Sequence, residues 1–211
     1  MADAIGARAL ITGAVLAGGA STRMGESKAA LILDGEPLLR RVVRRLQRAL
    51  PAVLVIGPAD LAELVPGARV TPDLAPGDGP LGGLRTALHA IATPWAFVIA
   101  CDMPFVAPPL VQAMAQLAAT TERPQFDAVV LRTARGLEPL HAVYHHSCLS
   151  PIERQLQSPN RSLAGLLDKL RVRAVEETEA MRYDPHGCSA FNANTPEEWH
   201  VALELAGSEE R

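Results

Sequence analysis

Aromatic residues are scarce in this 211-residue chain, with Phe, Trp and Tyr together at 4%. The interior must therefore be assembled from Ala, Leu and Val. Cysteine is scarce too: Cys101, Cys148 and Cys188 are odd in number, widely spaced and without a C-x-x-C pair, which fits reduced thiols in a cytoplasm. No apolar run reaches the roughly eighteen residues of a membrane span. The opening MADAIGARALITGAVLAGG has an early acid, one Arg and no apolar core ending at a cleavage site, so no signal peptide is expected. An excess of positive charge is also missing. The net charge of −3 argues against non-specific binding to nucleic acid or an anionic membrane. The expectation is a soluble cytoplasmic protein. With 48% hydrophobic and 20% charged residues, the chain is globular and long enough to bury most of its apolar surface. The rarest charge is lysine: Lys28 and Lys169 stand against eighteen arginines.

Apolar runs of strand length alternate with segments of helical period, which predicts βα units around a mostly parallel central sheet. The expected strands are Ile11–Leu16, Ala52–Ile56, Ala68–Thr71, Trp95–Ala100 and Asp127–Leu131, with His141–Tyr144 and Val172–Val175 as weaker signals. The expected helices are Pro37–Leu50, Ala59–Leu64, Gly82–Ile91, Pro108–Ala119, His146–Gln157, Ser162–Lys169 and Pro196–Leu205. Thr195, Pro196 and Glu198 form the pattern of a capping box with Pro at the first helical position. No linker divides the chain, so one domain over residues 1–211 is expected, with its core at about 13–200. Ligands of such sheets bind beyond the carboxyl ends of the strands, here after Leu16, Ile56, Thr71 and Ala100.

Leu16-Ala17-Gly18-Gly19 follows the first expected strand directly, and Arg23, Gly25 and Lys28 come soon after. Glycines let backbone amides approach a ligand with no Cβ in the way, and consecutive exposed amides make an anion-binding concavity. The spacing matches neither G-x-x-x-x-G-K-S/T nor G-x-G-x-x-G. A plain turn with a solvated Arg and Lys also accounts for the glycines. The lysine is harder to dismiss, since Arg would match the habit of this chain; a site that needs a compact ammonium explains it. After Trp95–Ala100 come Cys101-Asp102-Met103-Pro104. A carboxylate there can hold Mg²⁺, which takes one or two carboxylates together with phosphate oxygens and water; the alternative is a turn-capping Asp before Pro. Cys101 reads as a small buried hydrophobe. In TPDLAPGDGPLGG, Asp73 is followed by Gly77, Gly79, Pro80, Gly82 and Gly83 ahead of a helix, which is either a flexible cap or a close-approach loop.

The segment L-A-G-G-x-S-x-R-M-G-x-x-K, followed by Leu33-Asp34-Gly35-Glu36-Pro37-Leu38-Leu39, resembles the signature of the nucleotidyltransferase family that includes molybdenum cofactor guanylyltransferase. C-D-x-P at Asp102 resembles that family's metal-binding motif. The chain departs from the pattern at Ser27, where many members have Asp. The resemblance implies a three-layer Rossmann-like nucleotidyltransferase fold, with Leu16, Ala17, Gly18, Gly19, Arg23 and Lys28 around the phosphates of GTP and Asp102 on Mg²⁺. Asp73 would contact the nucleotide, while Gly79, Pro80 and Leu81 would line the nucleoside pocket. Of the N-x-N-T-P asparagines Asn192 and Asn194, Asn192 is the expected site residue, against a plain turn-forming role.

The implied reaction joins GMP from Mg-GTP to the phosphate of molybdopterin and releases pyrophosphate, with Lys28, Arg23 and Asp102 as the catalytic residues. Transient contact with acceptor or cofactor-inserting enzymes is a further implication, and no nucleic-acid or membrane partner is expected. His141 and Tyr144 either line the acceptor pocket or belong to a half-buried strand edge; Arg161 and Arg182 are candidates for the acceptor's phosphate with no positional argument. Arg40, Arg41, Arg44, Arg45 and Arg48 read as a solvated helix face. A cytidylyltransferase, a sugar-phosphate nucleotidyltransferase and a non-catalytic nucleotide-binding adaptor remain as alternatives.

Overall fold

The computed structural model describes residues 6–7, 9–18, 27–119 and 124–209. Gly19, Arg23 and Gly25 lie outside the described residues. The strands are β1 (Ile11–Leu16), β2 (Ile32–Leu33), β3 (Glu36–Pro37), β4 (Val53–Ile56), β5 (Arg69–Thr71), β6 (Trp95–Ala100), β7 (Ala128–Thr133), β8 (Gly136–His145) and β9 (Val172–Val175). The helices are α1 (Leu38–Gln47), α2 (Gly79–Ala90), α3 (Pro108–Ala118), α4 (Leu149–Leu156), α5 (Leu163–Leu167), α6 (Glu177–Ala180) and α7 (Pro196–Glu209).

Seven strands form one sheet in the order β5-β4-β1-β6-β8-β7-β9. The first four run parallel, β8 is antiparallel to both β6 and β7, and β9 is parallel to β7. Strand residues alternate between two cores, as the period of two requires. Ile11, Val15, Phe97 and Ile99 pack beneath α1 and α3 on one face. Ala14, Leu16, Ala96 and Val98 pack beneath α2, α4 and α5 on the other. The result is the expected mostly parallel α/β sheet with helices on both sides. A small third core joins Leu33, Leu38 and Phe105 to Ala202 and Ala206 of α7. That helix begins with the expected capping box, in which Glu198 N donates to Thr195 Oγ1 and Thr195 N to Glu198 Oε2, each at 3.1 Å.

Several expectations are corrected. His141–Tyr144 belongs to a ten-residue strand, Gly136–His145, that lies inside the sheet rather than at an edge. Both side chains are fully buried, and Tyr144 Oη donates to Pro139 O at 2.9 Å, so neither lines an open pocket. The helix expected from Gly82 starts at Gly79, and the segment expected as an α-helix from Ala59 is 3₁₀ over Ala59–Glu63. The arginine row of α1 is not a uniformly solvated face. Arg41 is 5% exposed, with its guanidinium 5.5 Å from the centre of the Phe105 ring. Arg44 forks onto Glu36, and Arg45 Nε donates to Val106 O at 2.9 Å. These arginines therefore tie α1 to its surroundings.

Gly13 lies in the middle of β1 under α1. A Cβ there would come within 2.7 Å of Leu46 Cδ2 and 3.3 Å of Leu50 Cδ1. Gly13→Val is expected to overpack this contact and destabilise the fold by about 1–3 kcal/mol, seen as a lower urea midpoint at unchanged slope. A second prediction concerns His141, whose ring is wholly enclosed and sits edge-on to Phe97 at 5.2 Å. Burial lowers its pKa from 6.5 to about 4. The unfolded chain takes up a proton near the ordinary value while the native chain does not, so stability falls as the pH drops from about 6.5 to about 4 and is unaffected above that window. The full loss is about 3 kcal/mol. Unfolding free energies measured between pH 4 and 7 are expected to show this slope in the wild type and a shallower one in His141→Gln, where His145, also lowered by burial, still contributes.

Candidate functional site

Register sets the site. Leu16 pairs with Ala100 on one side and Ile56 on the other, and Ile56 pairs with Thr71. Chain segments starting at Ala17, Gly57, Pro72 and Cys101 therefore leave the same end of the sheet side by side. The ladder continues for one more residue: Ala17 N donates to Ile56 O, Cys101 N to Leu16 O and Gly57 N to Thr71 O, at 2.8 to 3.0 Å. Gly18 and Asp102 then stand at equivalent positions beyond neighbouring strands, which lie about 4.8 Å apart.

The 3₁₀ turn Lys28–Ala30 brings Lys28 back to this end. Its ammonium lies 3.6 Å from Asp102 Oδ2 and donates to Asn194 Oδ1 at 2.5 Å. Both members of the ion pair are largely covered, with 18% and 16% of their side chains exposed. The segment carrying Asn194 is tied to the acid through its backbone, since Ala193 N donates to Asp102 O at 2.9 Å. Asn192 instead donates weakly to Ala190 O at 3.4 Å. The side chain that reaches Lys28 is thus Asn194.

Asp102 Oδ1 is enclosed with no hydrogen-bond partner among the described residues. No group of three or more His, Cys, Asp or Glu side chains that could hold a metal ion occurs among the described residues, so these residues provide no complete cage. One free carboxylate oxygen suits a hard divalent ion whose remaining ligands are phosphate oxygens and water. Glu138 is a carboxylate that the sequence reading passed over. It lies on β8 three residues before His141, close enough to Asp102 for the two charges to interact. Burial raises the Glu138 pKa and the nearby Asp102 charge raises it further, while Leu140 N donates to its Oε1 at 3.1 Å. The only signal for it was its place in the GLEPL segment. Burial pushes the Cys101 thiol up to about 12, with the Asp102 charge acting in the same direction, so this cysteine stays protonated.

Beside the acid lies a cleft of about 690 Å³ whose walls include Leu16, Gly18, Gly57, Asp73, Gly79 and Pro80. Gly18 is needed for packing: a Cβ on it would stand 2.6 Å from Asp73 Oδ2. Asp73 Oδ1 has no hydrogen-bond partner among the described residues. Burial raises the Asp73 pKa, while Thr86 and Arg85 act against that. Gly79 opens α2 at φ +63°, a left-handed value that favours glycine, and Pro80 follows in the first turn. Leu81, expected beside them, is fully buried in the core below and is not part of the cleft wall. Arg161 pairs with Asp78 at 3.5 Å, next to Gly79, and Asp78 also pairs with Arg85 at 3.1 Å. Arg182 lies exposed in the turn after α6.

The chain matches the MobA-like NTP transferase domain over residues 13–175. It is 36% identical over 195 residues to the probable molybdenum cofactor guanylyltransferase of Pelotomaculum thermopropionicum, covering 92% of this chain and 93% of that protein. To the protein of the same name from Chloroflexus aggregans it is 37% identical over 206 residues, covering 94% and 96%. Its fold is similar to the crystal structure of molybdopterin-guanine dinucleotide biosynthesis protein A from Archaeoglobus fulgidus. That match has a TM-score of 0.81 at 27% identity, over 93% of this chain and 99% of the other.

Proposed function

The chain belongs to the MobA-like NTP transferase family and is an enzyme, a nucleotidyltransferase; from that premise we propose that it transfers GMP from Mg-GTP to the terminal phosphate of molybdopterin. The observation that carries this reading is the convergence of Gly18, Lys28 and Asp102 at one end of two adjacent parallel strands, with the Asp73 cleft alongside. The relatives named as guanylyltransferases and the Gly18-Gly19 pair support guanine as the base. The free cysteines support a reducing, cytoplasmic setting.

In this reading a phosphate oxygen of molybdopterin attacks the α-phosphorus of GTP. The new P–O bond forms as the bond to the β-phosphate oxygen breaks, and pyrophosphate leaves. The attacking phosphate is already ionised, so no protein base is needed; positioning and charge neutralisation carry the catalysis. The Gly18 amide faces the phosphates, and the resemblance of the motif assigns Gly19 and Arg23 to phosphate binding as well. Lys28 leaves Asp102 for the leaving pyrophosphate oxygens, guided by Asn194. Asp102, through its free oxygen, is the residue that would hold a divalent ion. Bound with the triphosphate, that ion supplies charge neutralisation. Asp73, Gly79 and Pro80 hold the nucleoside, and Leu81 supports them from below. The chain acts as a single nucleotidyltransferase unit.

Pyrophosphate release measured with GTP, CTP and ATP against molybdopterin and against sugar phosphates tests the proposal. Release with GTP and molybdopterin is expected; release only with a sugar phosphate overturns it. Asp102→Asn is expected to lower turnover by roughly 10²- to 10³-fold, whereas an adaptor that only binds nucleotide would keep its binding and show no turnover in the wild type either. Lys28→Arg keeps the charge but replaces a point donor seated between Asn194 and Asp102 with a wider fork. A loss of about tenfold or more in kcat/KM is expected, at a Tm close to that of the wild type.

A further inference from the structure

Behind the acidic centre lies a buried polar cluster that the proposed reaction does not use. Ser189 and His141 are both 0% exposed. Ser189 Oγ accepts from Ala107 N at 2.9 Å and lies 2.7 Å from His141 Nε2. A hydroxyl has one proton. Its oxygen has two lone pairs, so with Ala107 N donating to one of them Ser189 either gives its proton to Nε2 or accepts one from it, according to the tautomer of the His141 ring. Ser189 N in turn donates to Asp184 Oδ2 at 2.7 Å.

The hydroxyl therefore joins three pieces of chain: the loop that follows Asp102, strand β8 and the segment that ends in Asn192 and Asn194. Four residues further along, Ala193 N donates to Asp102 O, so that segment is fastened to the Asp102 loop at both ends. Asn194 then holds the Lys28 ammonium. Well-packed apolar side chains in place of such a buried polar pair are often no less stable. What the pair adds is a defined orientation for the two segments it joins.

We propose that Ser189 and His141 are a positioning pair which, through the 189–194 segment, sets Asn194 and with it the Lys28 ammonium relative to Asp102. The proposal rests on the transferase reading only for its kinetic arm. A hydrogen-bonding partner on residue 141 is the essential feature: His141→Leu leaves Ser189 Oγ held by Ala107 N alone, whereas His141→Gln offers an amide that can donate or accept in its place.

Because the chain has two lysines, reductive ¹³C-methylation gives one side-chain NMR signal for Lys28 and one for Lys169, which serves as an internal control. Ser189→Ala and His141→Leu are expected to shift the Lys28 signal and leave the Lys169 signal in place. His141→Gln is expected to restore the wild-type position. In the transferase assay the first two variants should lower kcat by about 10- to 100-fold while the KM for GTP stays within a few-fold, since the Gly18–Asp73 cleft is untouched. An unmoved Lys28 signal overturns the proposal, as does equal movement of both lysines, or a His141→Gln variant as impaired as His141→Leu. If Ser189→Ala does not fold, the two His141 variants decide the matter. If the wild type proves inactive with GTP and molybdopterin, the transferase reading fails on its own, and the NMR arm, which uses no substrate, still decides this one.

Discussion

The functional end of the molecule depends on an ammonium and a carboxylate held close but not in full contact. Lys28 and Asp102 approach to 3.6 Å, beyond ordinary hydrogen-bond distance. Each is restrained by something else: the ammonium by Asn194, the acid through the bond between its carbonyl and Ala193. A tighter, fully satisfied pair would leave nothing for a ligand. A wider one would strand two mostly buried charges, each costly without a partner. This spacing requires that the segments following β1 and β6 leave the sheet in the same direction, which a parallel pairing provides.

The same incompleteness recurs nearby. Asp102 Oδ1 and Asp73 Oδ1 are both enclosed without a hydrogen-bond partner among the described residues. An unsatisfied buried polar atom costs roughly 1–3 kcal/mol, so two of them within one crevice take a noticeable share of a marginal stability. Gly18 brings the backbone against one of these carboxylates, and Lys28 leaves the other with an oxygen to spare. In the proposed complex a cation would satisfy Asp102 and a hydroxyl or N–H of the nucleoside would satisfy Asp73, so such a ligand gains from the two oxygens left open.

How far the sequence could be read follows from the same physics. β1 and β6 have the bounds expected of them, because strands covered on both faces appear as unbroken apolar runs. Asp102 and Lys28 were identifiable because a carboxylate at a strand end and a rare lysine both stand out. β2 and β3, two residues each, are too short to show any period. β8 was only partly seen because Glu138 and Pro139 do not look like strand residues; a register shift in its pairing with β7 between Val130 and Leu131 accommodates this stretch. His141 and Tyr144, three apart, point to opposite faces of β8, and both are buried because the strand is covered on both sides. Spacing alone does not reveal that. Nor could it separate Asn192 from Asn194, since side-chain direction in a loop is set by the contacts it makes.

The division between arginine and lysine is explained by the acceptors each one meets. Arg44 forks onto both oxygens of Glu36, and Arg171 onto both oxygens of Asp127. A planar guanidinium fits those carboxylates better than a point charge does. Both lysines instead meet a single amide oxygen at 2.5 Å: Lys28 on Asn194 Oδ1 and Lys169 on Gln155 Oε1. Arginines also donate to single oxygens, as Arg45 does to Val106 O, so what the two lysines share is a short bond to a side-chain amide oxygen. For Lys169 that bond is structural. Lys28 makes it beside Asp102, so the side chain that satisfies Asn194 is also the compact cation that the proposed reaction turns toward the phosphates.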